Sequence, residues 1–286
     1  MSVIKEFLFT VAQFLLPHHL LSRLIGLVAE CRWPWLKNVL ITQFIKLYRV
    51  NMTEAAKPDP RAYASFNDFF TRLLTADARS FPADHNEIAC PADGAISQLG
   101  NIKQGRIFQA KGHDFTAREL LGGCRELAER FEDGTFATIY LSPKDYHRVH
   151  MPVSGELKQM IYIPGRLFSV SPLTTRQIPR LFARNERVVA LFETEHGPLA
   201  MVMVGAMIVA SIETVWAGLV TPPKRQLQRF RYDKKVKLER GEEMGQFKLG
   251  STVIMLFGKE MASWAGTLQA DQSVRLGQSL GRIQPE

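Results

Sequence analysis

With 286 residues, 46% hydrophobic and 22% charged, the chain is long and apolar enough to bury a sizeable core as one large or two small domains, which excludes a disordered protein. Cys31, Cys90 and Cys124 are too few and too scattered for a disulfide framework, and no Cys-x-x-Cys pair offers a zinc site. The formal charge of +8 is unevenly placed: residues 1–50 carry six Lys/Arg against two Glu, and residues 224–240 carry eight against Asp233 and Glu239, so both stretches are drawn to a polyanion.

The chain opens with apolar residues at helical spacing, Ile4, Phe7, Leu8, Val11, Phe14 and Leu15, until Pro17 breaks the pattern. Leu20, Leu21, Leu24, Ile25, Leu27 and Val28 predict a second helix, Trp33-Pro34-Trp35 a second break, and Leu36 to Leu47 a third helix. Pro17, His18 and His19 interrupt every apolar run before it reaches the roughly 18–20 residues of a spanning helix, so these helices are expected to lie on a membrane and not cross it. Trp33 and Trp35 beside Arg32 and Lys37 suit the headgroup level. Residues 51–85 read as a polar connection and then a helix with Phe66, Phe69, Phe70, Leu73 and Leu74 as its apolar face.

From about Ile88 the pattern changes to short strands separated by turns: 88–90, 95–99, 106–110, 135–141, 155–163, 188–193, 199–204 and 207–213. Residues 116–131 alone read as a helix there. The expected fold class is α+β, mainly β, with a sandwich or barrel-like body at 86–286, a helical connection at 51–85 and amphipathic helices at 1–50. Arg229-Phe230-Arg231-Tyr232 interleaves cations with aromatics, which could stack on bases, but the pattern equally describes a surface on anionic lipid, and nucleic acid is not expected as a partner. A solvated loop or hairpin is the plain alternative for residues 224–240.

Leu249-Gly250-Ser251-Thr252, read alone, is a turn leading into a β-branched, apolar strand. Gly250-Ser251 also sets an unhindered carbonyl beside a hydroxyl, and an N→O acyl shift there needs a base and a held geometry. Asp93 in Pro91-Ala92-Asp93-Gly94 is a common turn signal on its own. His147 and His150 are three residues apart; no further His or Cys cluster completes a metal site, so a base for Ser251 is the better reading and no metal is expected. On a regular strand such residues face opposite ways; Pro143 and Asp145 just upstream predict a turn there, which brings both to the rim of one site. A serine hydrolase is the runner-up, though the stretch lacks the Gly-x-Ser-x-Gly elbow, and a non-catalytic membrane adaptor is a third reading.

Leu249–Thr252, Phe66-Asn67-Asp68-Phe69-Phe70, Pro91–Gly94, Leu141–Pro152 with its Asp145-Tyr146-His147-Arg148-Val149-His150, Phe182–Arg187, Val204–Ala206 and Gly245–Phe247 together resemble, in order, the phosphatidylserine decarboxylases. The resemblance implies decarboxylation of phosphatidylserine to phosphatidylethanolamine, with Asp93, His150 and Ser251 as an Asp-His-Ser set. It implies self-cleavage between Gly250 and Ser251 into a β chain of residues 1–250 and an α chain of residues 251–286, and a pyruvoyl cofactor made from Ser251. His147 is then expected near the substrate carboxylate or α carbon. The absence of a targeting extension points to a bacterial-type enzyme, peripheral on the cytoplasmic face of the cell membrane. Arg184, Arg187 and residues 224–240 are candidates for the phosphate or the leaflet, and Phe108, Tyr140, Tyr162 and Phe168 for shaping the pocket. A homo-oligomer is compatible with the sequence.

Overall fold

The computed structural model describes residues 3–207, 211–221, 226–248 and 251–284. Three helices come first: α1 (Val3–Leu15), α2 (His18–Ala29) and α3 (Pro34–Tyr48). Pro17 separates the first two, and Pro34 opens the third at the position where its missing N–H costs nothing. Arg49, left-handed at φ 54°, closes α3. Among the described residues no single helix is long and apolar enough to cross a membrane; α1 and α2 reach that length only as a pair bent by 92°.

These helices are half committed to the body. Ile41 is buried with Tyr63, Phe66, Phe69 and Phe70 in a small core of their own. Phe14 packs on Phe168, His19 Nε2 donates to the Gly165 carbonyl at 3.0 Å, and the backbone N–H of Ser169 donates to the Gln13 side chain. Their other side is apolar and open: Leu15 is 78% exposed, Leu27 73% and Leu47 75%, with Leu20, Leu24, Trp33, Trp35 and Val39 also exposed.

The next helix is shorter than expected. It runs only over Phe66–Phe70, capped by the Ser65 hydroxyl on the Asp68 N–H; Phe66, Phe69 and Phe70 are buried as predicted, but Leu73 lies beyond it and is exposed. The helix predicted over 116–131 is two pieces, Ala117–Leu120 and Arg125–Glu129. Gly122 and Gly123 between them sit at φ +84° and +88°, a left-handed turn that ends a helix and that side chains resist.

The body is mainly β, as the pattern implies, and built on one antiparallel sheet of eight strands in the order Gln228–Leu238, Gly155–Ile163, Arg187–Thr194, Gly197–Gly205, Ser251–Phe257, Thr135–Leu141, Gly94–Asn101, Ser273–Val274. All seven residues of Ser251–Phe257 are buried, because the sheet is covered on both faces. Alternation along the strand sends Val253, Met255 and Phe257 into one core and Ile254 and Leu256 into the other. Each such side chain contributes roughly 1.5–3 kcal/mol by burial. The first face is covered by a second sheet, Gly218–Leu219, Ser211–Thr214, Glu243–Lys248 and Arg148–His150, through Val149, Ile212, Met244 and Phe247. The strand predicted from Met207 begins at Ser211; Met207 is in a turn and residues 208–210 lie outside the described residues. The basic stretch is neither loop nor free hairpin from Gln228 onward. It is an edge strand paired to Gly155–Ile163 with an irregularity between Arg231 and Val236, and its cations discourage further strand addition.

Candidate active site around Ser251

Ser251 heads the central strand, paired directly with Gly205 on one side and Leu141 on the other. The two-residue period puts its side chain on the same face as Val253 and Met255, beneath the second sheet. The residue is fully buried and its Oγ has no hydrogen-bond partner. An unpaired buried hydroxyl costs on the order of 1–3 kcal/mol, so its retention calls for an explanation beyond packing. Leu249 and Gly250 lie outside the described residues. Just before them Lys248 is held by Glu213 at 2.7 Å and by Glu30, the residue that caps α2, at 3.4 Å, which ties this part of the chain to the N-terminal helices.

The histidine segment enters the second sheet through the turn expected upstream of it. The Asp145 N–H donates to the Ser142 carbonyl, and the Asp145 carboxylate accepts from the Ser142 N–H and hydroxyl, both at 2.7 Å. His147 follows and is fully buried, not at a rim, with its ring centroid 4.0 Å from that of Phe70. Its Nδ1 lies 2.8 Å from the Asp145 carbonyl, which only accepts, so Nδ1 carries the proton. Nε2 is therefore a bare lone pair, and it has no partner. Burial pushes this imidazole down to about 3, so it is neutral at ordinary pH.

His150, at the end of Arg148–His150, is half-buried, and burial lowers it too. Its Nδ1 donates to the Gly241 carbonyl at 2.8 Å, leaving Nε2 to accept from the Tyr146 hydroxyl at 3.3 Å. Asp93 is not bonded to it. Both oxygens of Asp93 are gripped by Arg79, and Oδ1 also accepts the Leu276 N–H at 2.8 Å. Arg79 in turn reaches Glu54 at 2.7 Å. The Glu243 charge, and after it that of Asp93, act on His150 in the direction that favours its protonated form, and Arg148 acts against them. No hydrogen bond links Ser251 to either histidine.

Gly94 proves to serve a different purpose from the turn that Asp-Gly suggests. It starts a strand, and a Cβ there would stand 2.2 Å from the Tyr140 carbonyl oxygen. Only glycine lets the Asp93 backbone approach Thr135–Leu141 so closely. Beside Asp93 opens a cavity of about 490 Å³, walled in part by Arg72, Arg79, Asp93, Tyr140, Asp145 and Tyr146.

The other sequence candidates are dispersed. Arg187 is buried and donates to the carbonyls of Leu120, Asn185 and Glu119, and Arg184 lies over the rings of Phe14 and Phe168. Tyr162 donates to Glu186 at 2.6 Å, Phe168 packs against α1, and Phe108 is exposed. Of these four aromatics Tyr140 lines the cavity. The sequence gives Arg79, Tyr146 and Arg72 no role at the site, and Phe70 only a place on an apolar helix face. Phe70, Arg72 and Tyr146 lie in or beside the segments that carry the resemblance; nothing in the sequence singles out Arg79. Among the described residues no group of three or more His, Cys, Asp or Glu is placed to hold a metal ion.

A family model described as phosphatidylserine decarboxylase matches residues 66–282, and another described as PSD matches residues 8–49. The chain is 62% identical over 284 residues to a phosphatidylserine decarboxylase proenzyme of Ectopseudomonas mendocina, covering 98% of this chain and 99% of that protein. It is 61% identical to the proenzyme of Stutzerimonas stutzeri (97% and 95% covered) and 60% identical to that of Bordetella pertussis (96% and 94% covered). Matched in this way over nearly its whole length, the chain belongs to the phosphatidylserine decarboxylase family of enzymes.

Proposed function

We propose that this enzyme converts phosphatidylserine to phosphatidylethanolamine and carbon dioxide after cutting itself between Gly250 and Ser251, with Ser251 carried forward as a pyruvoyl group. The observation that carries the reading is the Ser251 hydroxyl, fully buried and unpartnered at the head of the central strand. Its relatives' designation as proenzymes agrees with a chain that matures by cleavage.

In the first step the Ser251 oxygen attacks the Gly250 carbonyl carbon and gives its proton to an imidazole; the carbon–nitrogen bond breaks as the Ser251 nitrogen is protonated, leaving an ester. Loss of the Ser251 Cα proton then expels Gly250 as a carboxylate, and water converts the remaining dehydroalanine to the pyruvoyl group with release of ammonia. His150 is the base. Gly241 fixes its tautomer so that Nε2 is the basic nitrogen, and Tyr146 must yield that nitrogen to Ser251. Glu243 and, to a lesser degree, Asp93 stabilise the imidazolium by their charge.

Once formed, the group supplies an electron sink for the pair left behind as carbon dioxide departs. His147 manages the proton. Too weak a base to strip an ammonium, its neutral Nε2 accepts a hydrogen bond that directs the proton to the α carbon, while the Asp145 carbonyl and the Phe70 ring hold the imidazole in place.

Residues 1–50 serve this chemistry by holding the body against the cytoplasmic leaflet as a peripheral protein. What supports this is the apolar side of α1–α3 left open, with Trp33 and Trp35 at its end. Intact-mass analysis tests the core of the proposal: the purified protein should give two chains split at 250/251, and Ser251→Ala should remain whole. An active yet uncut wild type would refute it.

A further inference from the structure

Arg72 is a buried cation that the chemistry at Ser251 does not use. It is only 4% exposed, and its Nε and Nη1 have no hydrogen-bond partner. Nη2 alone is engaged, with the Lys144 carbonyl at 3.0 Å and more loosely with that of Asp145 at 3.5 Å. The guanidinium carbon stands 5.5 Å from the centroid of the Phe69 ring, a stack that orients the fork without neutralising it. Burial disfavours its charged form, and no carboxylate is paired with it among the described residues. A buried, unpaired guanidinium is costly to keep unless an anion comes to it.

The cavity that Arg72 lines is the 490 Å³ one beside Asp93 and Tyr146. Its other charges are largely spent on one another. Arg79 is divided between Asp93 and Glu54, Arg275 also reaches Glu54, and Asp145 is consumed by Ser142. Arg49 and Lys144, at the exposed mouth, add further cations. Arg72 lines this cavity with a guanidinium whose Nε and Nη1 are buried and unpaired, a fork that matches the two oxygens of a phosphodiester or a carboxylate.

We infer that Arg72 is the anchor for the phosphodiester of the lipid headgroup, a role that rests on the decarboxylase reading of this site. The choice of phosphate over carboxylate follows from the chemistry. Clamping the carboxylate to an arginine would stabilise the charge that has to leave as neutral carbon dioxide and so raise the barrier. The phosphodiester keeps its charge throughout, so holding it positions the headgroup equally in ground and transition states.

The test uses Arg72→Gln and Arg72→Lys in the full chain, with dihexanoyl-phosphatidylserine as substrate. Uniform binding predicts that Arg72→Gln raises KM at least about 10-fold, leaves kcat within about twofold and still splits at 250/251. Calorimetric binding of dihexanoyl-phosphatidylethanolamine, which has the phosphodiester but no carboxylate, should weaken at least about 10-fold, with partial recovery in Arg72→Lys. Arg72→Lys keeps a donor for the Lys144 carbonyl, so it decides the matter if the Gln variant fails to fold. A fall in kcat at unchanged KM, or binding indifferent to residue 72, overturns the inference. Equal affinity for inorganic phosphate overturns the headgroup assignment. A wild type that decarboxylates nothing yet binds the phosphodiester through Arg72 supports the anchor while refuting the proposed function; an active wild type with Arg72-independent binding does the reverse.

Discussion

Arg79 grips both carboxylate oxygens of Asp93 and reaches Glu54 as well, so the acidic residue of the Pro91–Gly94 segment is anchored to an arginine and not to His150. The Arg79 and Asp93 side chains are about a tenth exposed, so the pair is shielded from water. Arg79→Gln removes the cation and leaves the Asp93 carboxylate without one, which should cost about 3 kcal/mol. Thermal unfolding in a Ser251→Ala background, where the chain stays in one piece, reads this directly. An unchanged midpoint would mean that Arg79 does not hold Asp93.

Gly94→Ala should be among the most damaging single substitutions in the body. The added methyl carbon falls 2.2 Å from a backbone oxygen of a central strand, and neither strand can move without disturbing Asp93. A loss of about 2 kcal/mol or more is expected, together with slowed chain splitting. Wild-type stability and splitting in this variant would show that the strands separate easily here.

Acid should weaken the fold through His147. Its folded pKa is depressed to about 3, whereas the unfolded chain's histidine protonates near 6.5, so the unfolded state binds more protons as pH falls through that window and stability is lost. Between pH 7 and pH 5 this one residue accounts for about 2 kcal/mol. His18 and His150 are lowered too and act with the same sign. Asp145 and Glu186, raised by burial, act in the opposite sense, their contribution being lost as pH rises. Comparison with His147→Asn isolates the term: in urea unfolding at the two pH values, the gap between wild type and variant should narrow by about 2 kcal/mol at the lower pH. A constant gap would show that His147 titrates normally.

The two imidazoles should separate in a cleavage assay. His150→Ala removes the base whose Nε2 is readied by Gly241, and the precursor should persist uncut on a gel. His147→Ala should still split, with decarboxylation by the cleaved fraction reduced at least about 100-fold, the low end of the range for a group that directs a proton transfer. Normal splitting in His150→Ala, or full activity in cleaved His147→Ala, would reverse these roles.

Vesicle flotation addresses the N-terminal helices. Replacing exposed Leu15, Leu27 and Leu47 with Ser removes apolar side chains that support nothing in the body, so folding should persist while binding to anionic vesicles drops. Each lost side chain weakens membrane attachment by about 1–3 kcal/mol. Undiminished flotation would move the membrane surface elsewhere, with the basic edge strand Gln228–Leu238 the next to test.

Local pattern carried much of this protein. Helical spacing broken by Pro17 and Pro34 marks α1–α3, and β-branched, apolar runs mark the strands on either side of Ser251, because the two side-chain periods are properties of the chain itself. The turn before His147 was legible in Pro143 and Asp145 for the same local reason. Gly122-Gly123 divides the stretch 116–131 because both take the left-handed conformation, although apolar residues at helical spacing continue across them. Partnerships across the fold were not legible. Asp93 meets Arg79, His150 meets the Gly241 carbonyl and Tyr146, and Phe70 covers His147 only because sheet register and layer packing bring these elements together. Burial was equally a tertiary decision: the same imidazole that would titrate near 6.5 in an open chain is held neutral at position 147 by the layers closed around it.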